Sequence, residues 1–202
     1  GARGELIKYL PTPVVGRGDS GFCFIKPEHS IGRVRTFWGN FLVLVRAYTY
    51  MRVHGEEGLR ANTLNAVLNA NYIQARLKGH YPLPVGASRH CMHEVVAQGK
   101  LADAPDIRAL DIAKRLMDKG FHPPTNYFPL IVPESLMIEP TETESKEAID
   151  GFIAAMRAIA EEAKTDPAAL KASPQKPVRQ RLDETRAARK PVLRWKPGME
   201  VK

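Results

Sequence analysis

Seven apolar side chains between residues 144 and 164 recur at helical spacing: Ile149, Phe152, Ile153, Met156, Ile159, Ala160 and Ala163. A stripe of this kind lines one face of an α-helix and needs a partner surface to cover it. A second stripe, Ile107, Leu110, Ala113, Leu116 and Met117, predicts a helix that Asp103 or Asp106 caps and Gly120 stops. Leu64, Val67, Leu68, Asn71, Tyr72 and Ala75 predict a third over 58–79. Before it, the run NFLVLVRAYTYMRVH from Asn40 to His54 reads as a buried helix, and GEEGL punctuates between the two. Three shorter stretches, CMHEVVA, NYFPLIV and SLMIE, read as extended, the last two as a hairpin. Helices mixed with short strands in this order predict an α+β two-layer sandwich: a small, mainly antiparallel sheet with helices on one face.

A chain of 202 residues suits one domain with an appendage. Residues 1–35 read as an irregular leader, because prolines at 11, 13 and 27 and glycines at 16, 18 and 21 interrupt any helix. Within it the short runs PVV and FCFI read as extended. Such a leader makes more sense packed against other protein. Residues 36–170 form the predicted domain. Residues 171–202 form a basic arm with ten Lys or Arg and three acids, a net +7 of the chain's +8. The arm reads as a solvated segment; no aromatic-rich motif accompanies it, which makes nucleic acid an unfavoured partner. No apolar run approaches the roughly 18 residues of a membrane span, and the start, GARGELIKYL, lacks a signal-peptide core. It opens on Gly rather than Met, as a fragment or a processed chain would. Two cysteines make no disulfide framework, so a reducing, cytoplasmic setting is expected.

The stretch LMIEPTETESKEAIDGF (136–152) collects five acids and three hydroxyl residues in a basic chain. A metal site, an acid/base pair and a helix start all use such residues. The helix start accounts for most of them: Thr141 or Thr143 can cap, Thr141 and Glu144 have capping-box spacing, and Glu142, Glu144 and Glu147 suit the positive end of the helix dipole. A metal site would want His or Cys partners, and none is adjacent in sequence, so no metal is expected. The six histidines fit no zinc spacing, and no phosphate-loop, dinucleotide or serine-hydrolase motif occurs. His93 falls in a predicted strand, where a satisfied core or interface histidine is the plain reading. TFWGNF (36–41) sets Gly39 and Asn40 before a helix, an arrangement that either caps the helix or receives a phosphate. GFHPPTNYFP (120–129) is stiff and presents Thr125 and Asn126 as a site wall or a plain connection.

Several blocks together carry a family resemblance: SIGRVRTFWGNF, VLNANYIQARLKGHYPLP, MHEVV, DIAKRLMDKGFHPPTNYFPLIVPESLMIEPTETESKEAIDGF and LDETRAARKPVLRW. They resemble the P-protein of the glycine cleavage system, glycine dehydrogenase (decarboxylating), in its subunit 2 form, from residue 1 to about 195. The resemblance implies a fold-type I pyridoxal-phosphate enzyme. Its cofactor acts as an electron sink while glycine loses carbon dioxide, and the aminomethyl group passes to the lipoyl arm of H-protein. It implies glycine, lipoylated H-protein and P-protein subunit 1 as partners. In such relatives a large cofactor domain, with its Schiff-base lysine in a His-Lys-Thr context, precedes this region. No His-Lys dipeptide occurs here. This segment is therefore expected to be inactive by itself, with no catalytic residue of its own. By the same resemblance, Trp38, Gly39 and Asn40 approach a cofactor phosphate, and His93, Thr125 and Asn126 line the glycine site. SLMIEP lacks the carboxylate-clamping Arg that many relatives of the fold place nearby, which agrees with a carboxylate that must leave. The alternative is a non-catalytic module that docks H-protein or the partner subunit through its basic arm.

Overall fold

The computed structural model describes residues 2–35, 39–85 and 88–199. The chain divides into two compact units, Gly1–Glu56 and Glu57–Lys202.

In the first unit a 3-10 helix, Gly4–Tyr9, precedes a β-hairpin of β1 (Val14–Gly18) and β2 (Gly21–Ile25). The strands are antiparallel, with Val14 opposite Ile25 and Gly18 opposite Gly21. Gly21, at φ 125°, leaves the two-residue turn in a conformation that favours glycine. The leader thus holds two ordered elements, and both runs expected to be extended are. A helical run, α1 (Phe41–Leu77), follows. Its backbone is non-helical at Gly55, at φ 62° and ψ −173°, so two helices meet at a kink at the start of GEEGL, where the sequence predicts punctuation. The expected burial of its first part is not found: Phe41 and Leu42 are 71% and 72% exposed.

The second unit holds the rest of α1, then β3 (Val95–Gln98), α2 (Ala109–Asp118), β4 (Thr125–Asn126), β5 (Ser135–Ile138), α3 (Lys146–Thr165), α4 (Pro167–Ala172) and α5 (Glu184–Arg189). The sheet is fully antiparallel, in the order β3-β5-β4. The register aligns Ala97, Leu136 and Asn126, and separately Val96, Met137 and Thr125. Paired residues share a face and neighbours alternate. One face therefore carries Val95, Ala97, Leu136 and Ile138 into the core, where they meet Ile73 and Leu77 of α1, Ile112 and Leu116 of α2, and Ile153, Met156 and Ile159 of α3. This is an α+β fold with its helices on the core side of a small sheet.

The α3 stripe is buried as its spacing predicts, apart from Phe152, which is half-buried. In α1 the buried face is Ala70, Ile73, Gln74 and Leu77, whereas Leu64 and Leu68 are exposed. The expected stripe was rotated from the true one because apolar residues occur on both faces. The N-cap of α2 is Arg108, not Asp103 or Asp106: Asp111 accepts from the Arg108 N–H at 2.9 Å, and Glu134 accepts from the Ala109 N–H at 2.8 Å. The N-cap of α3 is Ser145, whose hydroxyl accepts from the Ala148 N–H at 3.1 Å, not Thr141 or Thr143. Of NYFPLIV only Asn126 is in a strand; Tyr127 takes φ 59° and ends β4.

The arm is fastened over its first part. Asp118 accepts from the N–H groups of Gln175 and Lys176, and Arg181 donates to Asp111 at 2.7 Å. No described helix is long and apolar enough to cross a membrane.

Candidate functional site

Two of the clefts in the second unit hold expected site residues. The first, of about 370 Å3, lies where the 121–124 connection passes the end of β5 and the start of α3. Phe121 and Phe152 meet edge-on, 5.7 Å between centroids, and form its apolar floor. Pro123 and Pro124 stiffen one wall; Glu139 and Glu144 supply the polar groups of another. Among the described residues no lysine or arginine lines this cleft. Its charge therefore favours cations and opposes a bare phosphate or carboxylate.

The second cleft, of about 420 Å3, is bounded by Arg89, Cys91, His93 and Glu94 beside Leu83 and Val95. Asn71 fixes its rim. The Asn71 amide donates to the Cys91 carbonyl at 2.8 Å, and its oxygen accepts from the Cys91 N–H at 3.0 Å, as a neighbouring strand would. Sequence reasoning placed Asn71 in an apolar stripe and missed this role; a polar residue within such a stripe was the available signal. Burial pushes the Cys91 thiol up, partly offset by a hydrogen bond to its own backbone. A thiol held protonated is a poor nucleophile.

The expected site residues are dispersed. Thr125 lies on the open face of the sheet and lines the first cleft. Asn126 shares the core face with Leu136, and its buried Oδ1 has no hydrogen-bond partner among the described residues. His93 precedes β3 rather than lying in it, and lines the second cleft. It is exposed, with Nε2 at 3.6 Å from Glu94. One ligand atom from each of His93, Glu94 and Glu139 lies within 4.8 Å of the others. A histidine is thus near the acids after all, brought across the ladder from a distant part of the sequence.

Gly39 and Asn40 belong to the first unit. Gly39 takes φ 74°, and the Asn40 side chain accepts from the Val43 N–H at 3.3 Å, which caps α1. Trp38 lies outside the described residues.

Residues 62–180 match the family model described as glycine dehydrogenase, C-terminal domain. The chain belongs to this family. Over 197 residues it is 54% identical to the probable glycine dehydrogenase (decarboxylating) subunit 2 of Bacillus cytotoxicus, and equally to that of Bacillus cereus. Each match covers 96% of this chain and 40% of the relative, so the chain spans well under half the length of those proteins. A solved structure of glycine decarboxylase (P-protein) of the glycine cleavage system, in inhibitor-bound form, is similar in fold. The TM-score is 0.59 at 17% identity, over 77% of this chain and 37% of that one.

For a glycine dehydrogenase C-terminal domain, the cofactor implied by the resemblance can be tested against these residues. Pyridoxal phosphate needs a lysine held in an enclosed place that lowers its pKa. Every described lysine is exposed or half-buried; neither of these two clefts is lined by one, and Lys78 and Lys190, which border other clefts, are exposed. Of the half-buried Lys114 and Lys119, Lys119 is paired with Glu162 at 2.6 Å, and neither lines these two clefts. The residues present do not fit the cofactor by themselves.

Proposed function

We propose that this chain is the C-terminal portion of a pyridoxal-phosphate-dependent glycine decarboxylase subunit of the glycine cleavage system. The observation that carries the reading is 54% identity over 96% of the chain to subunits of that name. In the whole protein glycine is the substrate, lipoylated H-protein receives the aminomethyl group, P-protein subunit 1 is the companion, and the setting is the cytoplasm. No step of the chemistry is assigned to residues of this chain, which is inactive by itself. Its part is to wall a site whose lysine and anion-binding groups come from elsewhere. Thr125, open to the first cleft, and His93 are its best-placed contributors to the glycine side. By the resemblance Gly39 and Asn40 approach a cofactor phosphate of one of the paired sites; Trp38 lies outside the described residues.

The first unit supports the same reading. Phe22 and Phe24 of the hairpin are 83% and 68% exposed, and the apolar start of α1 is exposed as well. Apolar surface of this extent marks an interaction face, and the large domain of the subunit is the proposed cover. A second reading is favoured by the exposed cations Arg186, Arg189 and Lys190 of the arm: a module that docks the acidic H-protein. Salt-sensitive binding of H-protein, but not of duplex DNA, would support it.

The deciding experiment is glycine-dependent exchange of labelled bicarbonate. The chain alone, given pyridoxal phosphate, is expected to bind no stoichiometric cofactor and to show no exchange. The complete subunit with subunit 1 and H-protein is expected to show both. Stoichiometric cofactor on one lysine of the chain alone would overturn the assignment.

A further inference from the structure

We infer that His93, Glu94 and Glu139 form a divalent-cation site of the zinc class at one end of the three-stranded sheet. The argument starts from the ladder. Val95 opposite Ile138 is the last pair of β3 and β5. One residue further, the antiparallel register sets Glu94 opposite Glu139. Like charges facing each other across a ladder are destabilising. Among the described residues no lysine or arginine forms an ion pair with either carboxylate, and the His93 imidazole stands 3.6 Å from Glu94. A bound cation would convert this repulsion into attraction.

The geometry is close to what an ion needs. Ligand atoms bound to zinc at about 2.0–2.2 Å lie roughly 3–3.5 Å apart. Here they lie within 4.8 Å, on side chains free enough to close the remaining gap. The backbone beneath them is held. Asn71 clasps Cys91 on one side, the Val95–Ile138 pair anchors both strands, and buried Pro140 follows Glu139. One imidazole nitrogen with two carboxylate oxygens suits Zn2+ or its borderline neighbours better than Ca2+ or Mg2+, which prefer oxygen alone. Three protein ligands leave a position for water or a small anion. Glu139 lines the first cleft while His93 and Glu94 line the second, so the ion would stand on the wall between them. This departs from the sequence-based expectation of no metal among these acids. It does not depend on the proposed function.

Co2+ titration of the metal-free 202-residue chain tests the site. One ion per chain is expected, with visible d–d bands of nitrogen and oxygen ligation, displaced by Zn2+. His93→Ala and Glu139→Gln should each weaken binding at least ~10-fold, since even outer partners of a metal site are worth that much. Metal-free Glu139→Gln, relieved of the repulsion from Glu94, should unfold at no lower temperature than the metal-free parent. Glu139→Gln keeps the side-chain shape at an exposed position, so it decides the matter if His93→Ala folds poorly. His122→Ala, outside the cluster, should leave the affinity as it is. Absence of stoichiometric binding, an affinity indifferent to Glu139→Gln, or a thiolate-to-cobalt band from Cys91 would each overturn the inference.

Discussion

The carboxylate of Asp118 accepts the backbone N–H of Lys176 at 2.8 Å, across 58 positions of sequence. The neighbouring Gln175 N–H reaches the same oxygen at 2.7 Å, and Arg115 stands 3.6 Å from the other. One side chain at the end of α2 thereby fastens the root of the basic arm. Asp118 is 3% exposed, so Asp118→Ala would leave two donors without their acceptor in a nearly dry place. A loss of about 2–4 kcal/mol in unfolding free energy is expected. Chemical denaturation checks this, and a loss below the error of the method would show that the arm holds without the contact.

The same contact sets a pH dependence. Burial alone would raise the Asp118 carboxyl, but the N–H groups of Lys176 and Gln175, with Arg115, outweigh it and hold the group below its ordinary value. The unfolded chain then binds the proton more readily than the folded one. The stability is present above the ordinary carboxyl pKa of about 3.9 and is lost as pH falls through the lower folded value. Hydrogen exchange at Gln175 and Lys176, corrected for intrinsic rates, should show protection at about pH 6 that Asp118→Ala removes. In the parent it should persist to pH values below about 4.

At the head of α3, Ser145→Ala should cost about 0.5–2 kcal/mol, because the Ser145 hydroxyl is the cap. Thr141→Ala should cost much less. The Thr141 carbonyl, which accepts from Asn69 at 2.9 Å, survives that change, and only the contact of its hydroxyl with that of Thr143 is lost. Equal losses in thermal denaturation would count against the assignment of the cap.

Gly99 closes β3 against α2. A Cβ there would sit 2.9 Å from the Ala109 Cα and 3.2 Å from its Cβ. A backbone atom cannot step aside as a flexible side chain can, so Gly99→Ala should destabilise by about 1–3 kcal/mol. Gly79→Ala is a contrast: open space surrounds that position, and its φ of 86° alone is the obstacle. A Gly99→Ala variant as stable as the parent would mean that α2 can withdraw from the strand.

The periodic parts of this fold were legible because burial on one face leaves a repeating mark, as Ile149, Ile153, Met156 and Ala160 show. The contacts that position the clefts leave none. Glu134 caps α2 from 25 residues away, and His93 reaches Glu139 only once β3 and β5 have paired. The exposed start of α1 failed in the opposite way: its composition announces burial, but Phe41 and Leu42 are exposed. Blocks such as GFHPPT and EPTETESKE carried the family without revealing geometry. Of the expected glycine wall, Thr125 and Asn126 could not be told apart until their opposite faces were fixed by pairing with Met137 and Leu136.

The two margins of the three-stranded sheet have a consequence for handling the chain in isolation. An unprotected strand margin invites a second molecule to extend the ladder. Here β4 is two residues long, lies between Pro124 and Pro129, and is cut off by the left-handed backbone of Tyr127. On the other side the Gln98 N–H is already taken by the Pro82 carbonyl at 2.9 Å. This sheet is thereby a poor seed for fibrils, and clumping of the isolated chain would start instead from the uncovered aromatic rings of Phe22 and Phe24.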